Sequence, residues 1–89
     1  MMKRKNDFLI QNIGGQDLLV PLGAKVIDLN GIIVLNFTGR YIWELLAENC
    51  SLDDLVEALE EHFVVDSQRA RIDVQAFVSE ISKWDAIET

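Results

Sequence analysis

The chain has 89 residues, of which 49% are hydrophobic and 26% charged, and its formal net charge is −7. This length suits one cooperative domain, and the composition is too apolar for a disordered chain. The longest unbroken apolar run, Ile32 to Leu35, is far too short to span a membrane. No apolar signal segment follows the basic N-terminus, so we expect a cytoplasmic protein.

The charge is unevenly distributed along the chain. Lys3, Arg4 and Lys5 lie in a basic segment, residues 1–7, that we expect to be a mobile tail. From residue 6 onward five basic residues (eight less these three) stand against fifteen acidic ones, a balance of −10. A body this acidic repels phosphate, which argues against nucleic acid and an anionic membrane as partners. Solubility is the simpler interpretation of the acidity, and attraction of a basic partner is the alternative.

The first third of the chain has the pattern of short strands. Two apolar runs, Phe8–Ile13 and Leu18–Val20, are separated by a turn signal at Gly14-Gly15. Pro21 ends the second run, because proline cannot donate to a strand ladder. These runs predict a hairpin.

A further strand is predicted after the turn signal at Asn30-Gly31, because Ile32–Leu35 is mostly β-branched. The preceding passage, Leu22–Leu29, is less clear, although Val26-Ile27 could pair briefly. A sheet of two or three antiparallel strands needs helices on one face. The residues leave open whether Ile32–Leu35 is an edge that accepts a peptide strand or the central strand of a buried sheet.

The remaining two thirds have helical periodicity. A first helix is predicted from Gly39 to about Glu48, capped by Thr38. A second begins at a capping box formed by Ser51 and Asp54. Ile87 lies in a tail that either adds a short strand or frays.

The third helix is predicted to be capped by Asp66 or Ser67. Six of its residues lie in one stripe of roughly 120°, the width of a core-facing helix: Ala70, Val74, Phe77, Val78, Ile81 and Trp84. Strands followed by three helices predict a single α+β domain, residues 1–89, of winged-helix-like architecture with a three-stranded antiparallel sheet.

No catalytic residues, metal site or cofactor are predicted. The single histidine and cysteine, His62 and Cys50, do not make a ligand set, and we expect them to be a polar-face residue and an inert thiol. The acidic residues of the second helix are predicted to point to solvent: Asp53, Asp54, Glu57, Glu60 and Glu61. We therefore expect a protein that is not an enzyme.

Four segments together resemble the PqqD family: Leu18–Pro21, Val34–Leu46, Ser51–Leu55 and Asp73–Val78. In that family a proline-containing strand precedes L-N-x-T-x-x-x-I, a helix break, a short helix and D-V-x-x-F-[LV]. The resemblance extends from about Phe8 to Ile87. It implies three strands and three helices, no catalytic activity, and binding of the leader of a ribosomally made precursor peptide.

This chain departs from the PqqD pattern at one place, and the departure bears on which modified peptide the protein serves. The coenzyme PQQ proteins carry Pro-Glu after the second strand and reach the L-N motif quickly. This chain has Pro21-Leu22 and a longer passage, Gly23–Gly31, before that motif. The departure favours recognition of a modified peptide other than the precursor of PQQ.

The resemblance also implies where the leader binds: beside the third strand and against the third helix. The expected peptide-binding residues are Ile32, Ile33, Val34 and Leu35 from the strand, and Arg69, Asp73, Phe77, Glu80 and Trp84 from the helix.

Periodicity does not say which flank of the third helix faces the leader. We choose the Asp73 flank over that of Arg71 and Ser82, because Asp73 belongs to the family-like Asp-Val pair and Phe77 and Trp84 offer apolar anchors. The alternative is that both aromatic residues belong wholly to the core and that Asp73 only helps its own helix to start.

The predicted function is therefore recognition of a leader peptide and its presentation to a tailoring enzyme, with a radical SAM enzyme as the expected partner. Two alternatives are a winged-helix nucleic-acid-binding protein, which the acidic body disfavours, and a structural adaptor within an enzyme complex.

Overall fold

The computed structural model describes residues 1–23 and 32–88. Its elements in chain order are β1 (Lys3–Arg4), β2 (Phe8–Ile13), β3 (Gln16–Pro21), β4 (Ile33–Leu35), α1 (Phe37–Leu45), α2 (Leu52–His62), α3 (Ser67–Lys83) and β5 (Ile87–Glu88). The predicted α+β class, with a three-stranded antiparallel sheet followed by three helices, is confirmed. The predicted pairing at Val26-Ile27 and the turn at Asn30-Gly31 lie outside the described residues.

The three-stranded sheet has the order β2-β3-β4, and both pairs are antiparallel. Gly14 and Gly15 join β2 to β3 with φ angles of 60° and 82°, a left-handed pair that glycine adopts without strain. In the other pair Val34 lies opposite Leu18. Among the described strands β4 is therefore an edge of this sheet and not its central strand, and the acceptance of a peptide strand at this edge stays a prediction.

One face of the sheet packs on the helices. Phe8, Leu19 and Leu35 point from this face into the core, and the Phe8 ring meets the ring of Trp43 edge-on at 6.1 Å. The helices fill the rest of the core with fully or nearly fully buried side chains: Ile42, Trp43, Leu46, Leu55, Val56, Leu59, Ala70, Val74 and Ile81. No helix in the described part of the chain is long and apolar enough to cross a bilayer.

The start of α1 differs from the prediction. Asn36, and not Thr38, caps the helix: its Oδ1 accepts a hydrogen bond of 2.7 Å from the backbone N–H of Gly39. The helix ends at Leu45 instead of Glu48. After Leu45 the N–H groups of Ala47 and Glu48 donate to carbonyls three residues back, so the chain tightens into turns.

Residues 2–5 of the segment 1–7, which we expected to form a mobile tail, instead bond to other parts of the chain. Lys3–Arg4 pairs antiparallel with Ile87–Glu88, so the C-terminal residues add a short strand. Lys5 forms an ion pair of 2.6 Å with Asp85. The guanidinium of Arg4 donates to the carbonyl of Trp43 and lies 5.7 Å from the centre of its ring. The tail thereby covers the buried tryptophan.

The predicted capping box of α2 is confirmed and supports a stability test. Ser51 Oγ accepts from the N–H of Asp54 at 3.0 Å, and Asp54 Oδ2 accepts from the N–H of Ser51 at 2.9 Å. The hydrogen bond from the Ser51 backbone, followed by that with its side chain, holds the pKa of Asp54 below its ordinary value of 3.8. A carboxyl group whose pKa is lowered by folding stabilises the fold above that ordinary value, and the contribution is lost as pH falls through the lowered pKa.

We expect Ser51→Ala to lower the free energy of unfolding by about 1 kcal/mol at neutral pH, because the helix loses its cap. In acid only part of this difference should disappear: the contact of the Ser51 side chain that lowers the pKa of Asp54 is lost when the carboxyl group is protonated, whereas the hydrogen bond from the Asp54 N–H to Ser51 Oγ does not titrate. Urea denaturation at both pH values measures the effect. Ser79→Ala, at an exposed position inside α3, is the control and should cause no loss. Equal stability of the Ser51 variant and the wild type would contradict the prediction.

Candidate functional site

A cavity of about 290 Å³ lies between the edge strand β4 and the helix α3. The residues lining it come from the strand, from the residue after it and from two turns of the helix: Ile33, Val34, Leu35, Asn36, Phe77 and Glu80. All but Asn36 and Glu80 are apolar. We call this the strand cavity.

A second cavity of about 400 Å³ adjoins the first and shares Asn36 and Phe77 with it. It lies between the start of α1 and the first half of α3, and its other lining residues are Thr38, Gly39, Arg69, Asp73 and Ala76. We call this the polar cavity, and the two together the groove. From Glu80 to Arg69 the groove follows α3 for eleven residues, roughly 16 Å, which matches about five residues of extended peptide.

One edge of β4 borders the groove. The other edge pairs with β3, and the part of the chain that the structure describes places no strand on the groove side. The Val34 side chain is 60% exposed. An edge strand with unpaired backbone N–H and C=O groups is a template on which an extended chain can add a strand.

The groove brings together seven of the nine predicted peptide-binding residues: Ile33, Val34, Leu35, Arg69, Asp73, Phe77 and Glu80. The other two line neither cavity. Ile32 precedes β4 and is exposed, and Trp84 caps the C-terminal end of α3 and packs half-buried against the core. A role for these two residues in peptide binding stays a prediction.

The two flanks of α3 face different neighbours. Arg71 donates a hydrogen bond of 2.9 Å to Asp53 of α2, so its flank is directed toward α2. Asp73 lies on the other flank, in the wall of the polar cavity. The geometry therefore puts the Asp73 flank, and not that of Arg71, beside β4 and α1.

Phe77 owes its position to a glycine on the facing helix. A Cβ atom at Gly39, which is buried, would lie 3.0 Å from Cε1 of Phe77 and 3.1 Å from Oδ1 of Asn36. Such distances are too short for ordinary van der Waals contact, so any larger residue would displace the ring or the helix cap. Gly39 thus allows the Phe77 ring to rest on the start of α1, at the junction of the two cavities.

Charged groups in the polar cavity neutralise one another. Arg69 Nε lies 3.2 Å from Asp73 Oδ1, one helical turn away. Nearby, Arg40 bonds the buried Asp17 of β3 at 2.8 Å and Glu44 at 2.9 Å, and these contacts, that with Glu44 first, raise the pKa of the guanidinium. The Arg40–Asp17 pair fixes the start of α1 to the sheet behind the groove.

Outside the groove the structure describes the single cysteine and the single histidine of the chain, Cys50 and His62. Within residues 1–23 and 32–88 no three His, Cys, Asp or Glu side chains lie close enough to hold a metal ion. Burial, followed by the charges of Asp54 and Glu48, raises the pKa of the Cys50 thiol, which disfavours the nucleophilic thiolate. The His62 ring stacks on that of Tyr41 at 4.1 Å between centroids.

Sequence reasoning missed four residues of the polar cavity: Asn36, Thr38, Gly39 and Ala76. The sequence did contain a signal for Asn36 and Gly39: an asparagine at the start of an apolar helix can cap the N–H group three residues later. Asn36 is as suitable for this role as Thr38. Ala76 carries no signal of its own, because a small residue on an exposed helix face is ordinary.

Comparison with known proteins gives one family and two similar structures. The family model for coenzyme PQQ synthesis protein D (PqqD) matches residues 21–85. The structure of TbiB1 in complex with the TbiA(beta) leader peptide is 21% identical with a TM-score of 0.73, and the match covers 97% of this chain and 94% of that chain.

The second structure is a lasso peptide synthetase B1 complexed with the leader peptide. It is 16% identical with a TM-score of 0.74, and the match covers 99% of this chain and 98% of that chain. At these identities the two structures establish a shared fold over essentially the whole chain. No curated protein sequence matches this one.

Proposed function

The chain belongs to the PqqD family, and from this premise we propose that it is a non-catalytic module that captures the leader of a ribosomally made precursor peptide by strand addition. The observation that carries the proposal is the open edge of β4, which borders a groove of peptide length with Phe77 at its centre. Main-chain hydrogen bonds to β4 would provide affinity, and alternate side chains of the leader would provide selectivity.

The two similar structures support the same ligand class, because both contain a leader peptide. The absence of catalysis is part of our proposal, and the raised pKa of Cys50 and the solvent-facing acidic residues of α2 support it. The module would act in the cytoplasm, where ribosomes make its precursor peptide.

The bound leader would be presented to a tailoring enzyme. The PqqD family supports a radical SAM enzyme as that partner. The similarity to a lasso peptide synthetase B1 supports a peptide synthetase as the alternative. The reading frames beside the gene separate the two, since each enzyme class has its own sequence motifs.

A nucleic-acid-binding role fits the surface less well. Of the three basic residues of α3, Arg69 is paired with Asp73 and Arg71 with Asp53, which leaves a single lysine, Lys83, at the last position of the helix. A winged-helix protein needs unpaired basic charges for its affinity. Tight and salt-sensitive binding of duplex DNA would favour this alternative.

The proposal is tested with peptides synthesised from the short reading frames found beside the gene, each labelled with a fluorophore and titrated with the protein. We expect saturable binding, and we expect the backbone amides of β4 and the groove side of α3 to show the largest NMR shift changes. Slowed hydrogen exchange in β4 would identify new ladder bonds. Shift changes confined to α2 and the outer face of β2 would contradict the proposed site.

A further inference from the structure

Glu80 is the single charged residue in the lining of the strand cavity. It forms no ion pair with another described residue, whereas Asp73, two turns earlier on α3, is engaged by Arg69. Its neighbours in the cavity wall are mostly apolar, with Ile33 and Leu35 on the strand and Phe77 on the helix. Glu80 is exposed in the free protein, but a peptide seated in this cavity would remove water from its carboxylate, at a cost that a cation of the peptide would offset.

The side chains of lysine and arginine complement the strand cavity, because each has a long apolar stem and a positive charge at its end. Their methylene stems cover apolar surface while the charged head reaches a carboxylate at the rim. A cation that lies over the Phe77 ring would gain a further attraction from the ring face. A purely apolar side chain would fill the strand cavity but would leave the negative charge of Glu80 beside it without a cation to pair with.

We propose that the groove selects a leader peptide with a basic residue, Lys or Arg, whose stem lies on Phe77 and whose charge pairs with Glu80. This inference rests on the proposed function and names the chemistry of its ligand. Glu80 and Asp73 are seven residues apart on α3, about 10 Å, so one side chain contacts only one of them. The Arg69–Asp73 pair is already neutral, which leaves Glu80 as the partner.

The overall negative charge of the chain also favours a basic peptide. From residue 6 onward five basic residues stand against fifteen acidic ones. This excess attracts a basic peptide at long range and speeds its association, and added salt weakens the attraction. The pairing with Glu80 is local, so a matched substitution elsewhere on the acidic surface separates the two effects.

The test begins with a display library of random ten-residue peptides selected on the intact protein. We expect Lys or Arg to be enriched at one position of the selected peptides, and we expect Glu80→Gln to weaken a selected peptide about fivefold. Glu80→Lys should weaken it at least tenfold, because it places like charges together. The control is Glu57→Lys on the exposed face of α2, which changes the net charge equally and should cost less than about twofold.

Reciprocal exchange completes the test. A peptide in which the enriched basic residue is replaced by Glu should bind Glu80→Lys better than it binds the wild type. Equal losses with Glu80→Lys and Glu57→Lys, or selected peptides that occupy the groove without a basic residue, would overturn the inference and leave the proposed function standing. If the library yields no peptide that binds β4 and α3, the proposed function fails and the inference fails with it.

Discussion

Methylation of single backbone amides along a bound leader peptide is expected to weaken binding at least 30-fold at every second position and less than about threefold at the positions between. In an added strand the N–H groups alternate between the neighbouring strand and the opposite side. A methyl group on an inward amide removes one ladder bond and leaves a carbonyl of β4 unsatisfied, a loss of about 2 kcal/mol. Fluorescence anisotropy with the methylated series measures this pattern, and a flat series would exclude strand addition.

Proline substitutions give the matching test on the protein. The backbone N–H groups of successive residues in β4 also point alternately to its two sides. Either Ile33 or Val34 therefore donates its N–H to β3, and the N–H of the other points outward from the open edge. Proline at the inward position should destabilise the sheet, whereas proline at the outward position should abolish peptide binding in a folded protein. Circular dichroism identifies which variant is folded. If that variant binds the peptide with wild-type affinity, the peptide does not add to β4.

Local signals predicted most of the architecture. The bounds of Phe8–Ile13 follow from its apolar run and from the glycine pair after it, and the capping box at Ser51 lies within four residues. The cap of α1 was wrong because Asn36 and Thr38 are both suitable cap residues and lie two residues apart. The chain enters the helix directly from β4, and only Asn36 then has extended backbone before the first turn.

The parts of the site that escaped prediction depend on contacts between distant residues. Periodicity alone does not distinguish the two flanks of α3: the Asp73 flank was chosen from the family resemblance, and the ion pair of Arg71 with Asp53, eighteen residues earlier, is what shows that the other flank faces α2. The packing of Phe77 on Gly39 joins two helices. The pairing of Lys3–Arg4 with Ile87–Glu88 joins the two ends of the chain, and no local pattern in so short a segment indicates it.

Phe77→Ala is expected to weaken leader binding about 100-fold. Its ring borders both cavities, and central aromatic residues contribute most to peptide interfaces. The substitution should also lower the free energy of unfolding by roughly 2–3 kcal/mol, because the ring is half-buried and packs against the core. Gly39→Ala should cause a smaller loss of affinity, since it displaces the ring without removing it.

Phe63→Ala provides a matched control for this prediction. Phe63 is also half-buried, but it lies at the end of α2, where its ring meets Tyr41 edge-on at 5.6 Å, and it lines neither cavity of the groove. Its loss should destabilise the fold by a comparable amount and leave affinity for the leader within about twofold of the wild type. Affinity measured by calorimetry on folded protein, alongside stability in urea, separates the two effects. The two phenylalanines are matched in burial, and only Phe77 is expected to contact the peptide. Equal losses of affinity in both variants would therefore mean that Phe77→Ala weakens binding only by destabilising the fold.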